Sequence, residues 1–260
     1  MIDAIKSIAR DAGMIMRNAQ HQHDSVEQKE GPRNIVTKYD REIQDFVFRE
    51  LLKLYPDINL IGEEGDGELL TSTGPFCILD PIDGTTNFDK GLKHSCVSIA
   101  VGFDDDIQIG CVYDPYLDDM FYAERGKGSF LNSKQLVRDN SISLSDSLVC
   151  FGTCPYDLEL ADDVFDLAKV IFLHSLDIRR TGTAALEICY IAAGRFDLFF
   201  ENILYPWDFA AASLILEEAR GSITQFNGKK IRLDKRCSIV AGATIPVEEF
   251  YKLRHGIGNS

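Results

Sequence analysis

No window of the 260-residue sequence is long and apolar enough to cross a membrane, and no internal repeat or low-complexity tract interrupts it. Basic runs are missing as well: 27 Lys and Arg stand against 41 Asp and Glu, leaving a formal net charge of -14. That balance argues against nucleic acid or an anionic membrane surface as partner, because both need clustered positive charge. The amino-terminal stretch MIDAIKSIARDAGMIM carries charges throughout and so lacks the apolar core of a secretory signal. A cytoplasmic protein is expected. Cysteine is present seven times, an odd number, and Cys150 and Cys154 lack the close pairing and His partners of a zinc site. Buried, reduced thiols are the expectation. What remains is ordinary for a globular protein, with 45% hydrophobic and 26% charged residues. The length suffices for one domain or two intimately packed halves.

The apolar pattern alternates between two periods. Ile2, Ile5, Ile8, Ala9, Ala12, Ile15 and Met16 predict a first amphipathic helix. Ile43, Phe46, Val47, Leu51 and Leu54 predict a second over 41–54, closed by Tyr55-Pro56. Strand-like runs follow at 58–62, 76–80, 96–103, 107–114 and 120–124, with the triple acid Asp104-Asp105-Asp106 read as a solvated hairpin turn. Beyond a polar stretch at 132–147 come a strand near 148–152, helices near 160–173 and 183–193, and a strand at 196–200. A helix over 208–219, short strands near 222–226 and 237–241, and a helix after Pro246 complete the chain. The expectation is a single domain over 1–260 whose two halves meet near 132–147.

The stretch ILDPIDGTTNF, residues 78–88, raises a functional question. Turn chemistry alone would select Asp-Pro followed by Asp-Gly, so a plain surface turn is one reading. The other begins with Asp80, which precedes Pro81 and is therefore expected to end its strand extended. Asp83 follows in the same turn, Gly84 leaves room for a ligand, and Thr85 and Thr86 begin a helical turn whose orphan amides suit phosphate. Two carboxylates facing one space repel unless a cation or proton lies between them, and hard oxygen ligands suit Mg²⁺.

Three further segments bear on the choice. LIGEEGDG puts Glu63 and Glu64 just after a strand, NIVTKYDRE puts Asp40 just inside a helix, and YPWDFAAASLILEEARG puts Asp208 at a helix start beside the single tryptophan. Each has a plainer reading: Asp40 and Asp208 as acids favoured by the helix dipole, Glu63 as a solvated acid. Taken together, Gly62-Glu63-Glu64, Asp80 through Thr85, and Trp207-Asp208 resemble the inositol monophosphatase family of Mg²⁺-dependent phosphatases. RRTGTAALEICYIAAGRFD, residues 179–197, is similar to that family's substrate-side loop and helix.

The resemblance runs from the first helix to about residue 245 and implies an α+β fold, a layered α/β/α/β/α sandwich of the sugar-phosphatase type, usually a homodimer. It implies a first Mg²⁺ held by Glu63, Asp80 and the Ile82 carbonyl, a second held by Asp80, Asp83 and Asp208, and a weaker third beside Glu63. Thr85, hydrogen-bonded to Asp40, would orient and help deprotonate the attacking water, with Glu63 assisting. Phosphate would rest on the amides of Gly84 and Thr85, with Asp83 facing metal and substrate alike. Such metal-assisted hydrolysis also lets an acidic protein bind an anion, since bound ions invert the local sign of charge. None of His21, His23, His94, His174 or His255 falls in these motifs.

Gly182, Thr183, Ala184 and Glu201 match positions where the family binds inositol hydroxyls, and Lys29 matches a basic residue near the active-site loop. Without the resemblance Glu201 reads as an exposed acid closing the strand at 196–200. Thr86-Asn87-Phe88 resembles the inositol phosphatases, whereas relatives acting on phosphoadenosine phosphate or histidinol phosphate usually carry lysine after the first threonine. Asn34 stands where Asp is frequent and Arg220 replaces a common glycine, both remote from the chemistry. The function implied is hydrolysis of inositol monophosphate or a similar small polyol or sugar phosphate, lithium-sensitive in this family. Fructose 1,6-bisphosphate or nucleotide phosphatase activity on the same fold is the alternative, and a metal-binding regulatory scaffold is the non-enzymatic one.

Overall fold

The computed structural model describes residues 1–19, 26–28, 35–65 and 73–257. Lys29, Asn34, His21 and His23 lie outside the described residues. Helix α1 (Ile2–Asn18) turns Ile5, Ile8, Ala9, Ala12 and Met16 to one buried face, as their spacing requires. Strands β1 (Val26–Gln28) and β2 (Ile35–Thr37) pair antiparallel. Helix α2 (Lys38–Leu54) starts at the N-cap Thr37, whose backbone N–H donates to Asp40 Oδ2 at 2.8 Å while Tyr39 N–H donates to the Thr37 hydroxyl.

A seven-stranded sheet follows in chain order: β3 (Asn59–Gly62), β4 (Pro75–Asp83), β5 (Cys96–Phe103), β6 (Asp106–Asp114), β7 (Asp119–Glu124), β8 (Gly128–Leu131) and β9 (Lys134–Leu136). β3 runs parallel to β4, and the remaining neighbours form an antiparallel meander. Helix α3 (Thr85–Asp89) lies between β4 and β5. The turn between β5 and β6 is the hairpin at Asp104-Asp105. β4 departs from expectation, because it does not stop at Asp80. Asp80 faces Ser98 and Asp83 faces Cys96, so three residues of β4 span two of β5. The extra residue is a bulge, which accommodates Pro81 where a ladder N–H is missing.

The second half contains β10 (Leu148–Phe151), α4 (Ala161–Phe172), β11 (Asp177–Arg179), α5 (Ala184–Ala192), β12 (Leu198–Leu204), α6 (Pro206–Glu218), β13 (Ser222–Thr224), β14 (Cys237–Gly242) and α7 (Thr244–Ile257). Its five strands lie in the order β11-β10-β12-β14-β13. β10 is parallel to both neighbours, and β14 is antiparallel to β12 and β13.

Side-chain alternation along the strands explains the layers. In β4, Phe76 and Ile78 enter the central core while Cys77 and Leu79 face α1 and α2 on the outer side. In β12, Phe199 enters the same central core while Leu198 and Phe200 face α4 and α7. Helices α5 and α6 fill the space between the sheets, and α5 is buried on every side. The stack is therefore α1/α2, sheet, α5/α6, sheet, α4/α7, the α/β/α/β/α order implied by the resemblance. All seven cysteines are buried free thiols. Among the described residues no helix is long and apolar enough to cross a membrane.

Candidate active site

The acids named from sequence converge where the bulge of β4, the first turns of α2 and α6, and the end of β3 meet. Asp40, fully buried, accepts the Thr37 hydroxyl at 2.5 Å on Oδ2 and the Thr85 hydroxyl at 3.2 Å on Oδ1. The same side chain thus caps α2 and makes the expected contact with Thr85. Burial pushes Asp40 from the ordinary 3.8 up to about 7 against the Thr37 hydrogen bonds, and the charges of Glu63 and Glu64 add to the shift. Thr85 Oγ1 also lies 3.1 Å from the Ile82 carbonyl.

Three aspartates each commit one oxygen to a backbone N–H. Asp80 Oδ1 accepts from Ile82 at 3.0 Å, closing the bulge on itself. Asp83 Oδ2 accepts from Ala185 at 2.7 Å, which ties the signature stretch to the start of α5. Asp208 Oδ2 accepts from Tyr205 at 2.7 Å, capping α6. Glu63 sits directly after β3, and its N–H donates to the Leu79 carbonyl at 3.1 Å, one residue from Asp80.

Asp80, Asp83 and Asp208 are all held well above the usual carboxylate range. Burial is the largest cause for each. For Asp80 the next causes are the charges of Glu63, Asp83, Asp208 and Asp40, with no basic group among them. Glu63 acts on all three aspartates, which places the four acids in one field of unbalanced negative charge. Among the described residues no three His, Cys, Asp or Glu side chains are already drawn together as an ion cage, so an ion bound by these acids would have to gather them around itself. Acids with no cation between them repel. Mg²⁺ asks for one or two carboxylates and keeps several waters, so an all-oxygen donor set without a protein cation fits it.

The residues matched by resemblance to the family's substrate side come to the same place, Lys29 excepted. Gly84 is left-handed, with φ 87°, and a Cβ there would lie 2.7 Å from Thr183 Oγ1 and 3.3 Å from the Gly182 carbonyl. Ala184 opens α5 one residue before the Ala185 N–H that holds Asp83. Glu201 is no exposed acid at a strand end. β12 continues to Leu204, and Glu201 is 8% exposed, with Cys154 N–H donating to Oε1 at 3.2 Å. Its carboxylate occupies the space a side chain at Gly152 would fill. Burial, then the charge of Glu187, raise Glu201 to about 7.

Over residues 1–257 the sequence matches the inositol monophosphatase family. The chain belongs to that family. It is 36% identical to the Nus factor SuhB of Escherichia coli strain K12 over 230 residues, 88% of this chain and 86% of that one. The IMPase of Thermotoga maritima superimposes with a TM-score of 0.89 at 30% identity, covering 99% of this chain and 98% of its own. Staphylococcus aureus IMPase-II with inositol monophosphate bound gives 0.82 at 28% identity, over 96% of this chain and 92% of its own. The same IMPase-II with 2'AMP bound gives 0.84, at the same identity and coverage.

For this inositol monophosphatase-family chain, two residues beside the candidate site were not legible as such in the sequence. Tyr156 follows β10 with its residue 62% exposed. Its hydroxyl is nonetheless pushed upward, by burial and then by the charges of Glu63, Asp208, Glu201 and Asp80, so it stands at the rim of the acid cluster. A lone tyrosine after a proline carries no signal. Glu187 did carry one, as the single charged residue of an otherwise apolar helix, AALEICYIA.

Proposed function

We propose that this chain is a Mg²⁺-dependent phosphomonoester hydrolase acting on inositol monophosphate or a similarly small polyol phosphate. The observation that carries the proposal is the cluster of Asp80, Asp83 and Asp208, each held well above the carboxylate range by burial and then by neighbouring acids that include Glu63, with no basic group among the main influences on Asp80, beside the Thr85–Asp40 pair. Glu63, Asp80 and the Ile82 carbonyl would hold one Mg²⁺ and Asp80, Asp83 and Asp208 a second, with a weaker third near Glu63. Bound there, Mg²⁺ polarises the phosphoryl group, favours a nucleophile near neutral pH and stabilises the leaving oxygen.

The chain's own groups supply the rest. Thr85 Oγ1 donates to Asp40 Oδ1 and keeps lone pairs with which to orient the attacking water. A carboxyl titrating near 7 can take up the proton relayed through that hydroxyl at neutral pH. Glu63 assists from the end of β3. The left-handed turn at Gly84 and the first amide of α3 present donors to the phosphate oxygens. Gly182, Thr183, Ala184 and Glu201 would face the polyol, while Lys29, outside the described residues, is assigned by the resemblance alone. The relative crystallised with inositol monophosphate and with 2'AMP supports this substrate class and extends it toward nucleotides. A homodimer in the cytoplasm is the setting the family suggests.

The name Nus factor, carried by relatives at 36% identity, favours a second reading in which the chain acts by binding a macromolecular partner. Phosphate release decides between them, from inositol 1-phosphate, fructose 1,6-bisphosphate, 2'AMP and p-nitrophenyl phosphate, with Mg²⁺ and with chelator. Release from inositol 1-phosphate that vanishes on chelation, returns with Mg²⁺ and slows with Li⁺ is expected. Full activity in a thoroughly chelated sample would sink the mechanism, and no release from any substrate would leave the binding role.

A further inference from the structure

Glu187 is 1% exposed on a helix with no other charge, and burying a carboxylate there is unfavourable unless donors surround it. Three do. The Thr181 N–H, the Thr181 hydroxyl and the Gly182 N–H donate to Glu187 Oε1 at 2.9, 2.6 and 3.2 Å. From one turn inside α5, Glu187 therefore reaches back past the N-cap Thr183 and holds the two residues that precede it. The opposite side of the same turn is held by the signature stretch. Asn87 Nδ2 donates to the Thr181 carbonyl at 2.8 Å and to Thr183 Oγ1 at 3.2 Å, while the Thr183 hydroxyl donates to the His94 carbonyl at 3.0 Å. Thr181 is thus gripped through its N–H by Glu187 and through its C=O by Asn87.

We infer that Glu187 is a positioning residue, which with Asn87 clamps the Thr181–Thr183 turn in the shape that meets the substrate's polyol. The inference rests on the proposed function, in which Gly182 and Thr183 face that part of the substrate. A leucine at 187 would suit packing in so apolar a helix, so the acid is explained by the turn and not by the core. The clamp reaches the metal side through the charge of Glu187 on Asp83, which Glu187→Leu and Glu187→Gln remove alike, so the difference between the two variants reads the clamp. Ala185, which holds Asp83, lies within the first turn of α5 and keeps its place by helix bonding, as the Glu187 N–H bond to the Thr183 carbonyl shows.

Glu187→Leu and Glu187→Gln test this in the full chain with Mg²⁺ present. The leucine removes the acceptor and keeps the bulk, while the glutamine keeps an acceptor oxygen. In Glu187→Leu, hydrogen exchange of the 181–182 amides in substrate-free protein should accelerate at least about tenfold, with Asp83-side segments unchanged. KM for inositol 1-phosphate should rise about tenfold, while kcat and the constants for p-nitrophenyl phosphate move less than about threefold. Glu187→Gln should bring KM back to within about threefold of wild type. Unchanged exchange at 181–182 overturns the clamp. Faster exchange with equal loss on both substrates reduces Glu187 to a structural residue and overturns its positioning role. Should wild type release no phosphate, the proposed function fails, and exchange alone then decides the clamp.

Discussion

Asp208 ends one structural task and begins another with the same carboxylate, one oxygen capping α6 through Tyr205 N–H and the whole group charging the acid cluster. Asn in its place keeps an oxygen for the cap and removes the charge. Asp208→Asn should therefore retain or raise Tm while Mg²⁺-dependent phosphate release falls at least about a hundredfold. A collapsed Tm would mean the residue serves mainly the fold. Glu201 sits at the far side of the proposed pocket, and a contact made equally in ground and transition states appears in KM. Glu201→Gln should raise KM for inositol 1-phosphate roughly tenfold and spare p-nitrophenyl phosphate. Equal effects on both substrates would assign it to the metals or the fold. For Asp40 and Asp208 the cap reading and the site reading compete on paper. In the folded chain neither excludes the other, because a carboxylate has two oxygens and the cap uses one.

The helix α3 and the strand β4 meet at Gly84, whose φ of 87° is costly for any residue with a Cβ. Gly228 has a comparable φ of 77° but opens onto empty space, whereas a Cβ at Gly84 meets Thr183 Oγ1 and, at 3.2 Å, the His94 carbonyl. Gly84→Ala and Gly228→Ala thus share backbone strain, roughly 1–2 kcal/mol, and differ only in the collision. Differential scanning calorimetry and phosphate release should show Gly228→Ala modestly destabilised with full activity, and Gly84→Ala more destabilised with activity down at least about tenfold. Equal outcomes would remove the contact between signature and turn from the mechanism. Legibility at this scale follows length and period. β5, read at 96–103, matches residue for residue because eight apolar-rich positions between turns leave little choice. β9 and β11, three residues each with polar sequences KQL and DIR, carry no period, and pairing with longer neighbours alone makes them strands. Asp80 reads as a strand end because it precedes Pro81, yet the bulge carries the strand past it.

Across the whole molecule, buried acids set the response to pH. Asp40, Glu187 and Glu201 each titrate near 7 when folded, against ordinary values of 3.8, 4.5 and 4.5. Burial is the leading cause in all three. Between those values the folded protein holds protons that the unfolded chain has released, so stability falls as pH rises through that window and levels off above it. The net charge of -14 adds repulsion in the same direction. In chelator, Tm should therefore decline from pH 5 to about 7 and then flatten. Mg²⁺, binding the folded state alone, should restore more of it at pH 8 than at pH 5. A Tm that climbs from pH 5 to 8 in chelator would mean these acids are ionised inside the fold.

By itself the sequence determined what depends on neighbours a few positions apart: the two amphipathic helices, the long strands, the Asp104-Asp105 hairpin and the acids set at helix starts and strand ends. Turn chemistry, capping and side-chain alternation are local, and short segments express them. It also carried the family, through motifs scattered along the chain. The tertiary structure decided which of these acids share one charge field, since Glu63, Asp80 and Asp208 come from separate elements that the stacking of layers brings together. It likewise buried Glu201 against Gly152 and turned Glu187 onto the loop before its own helix. Burial and long-range approach are properties of packed surfaces, and no local pattern in the chain encodes them.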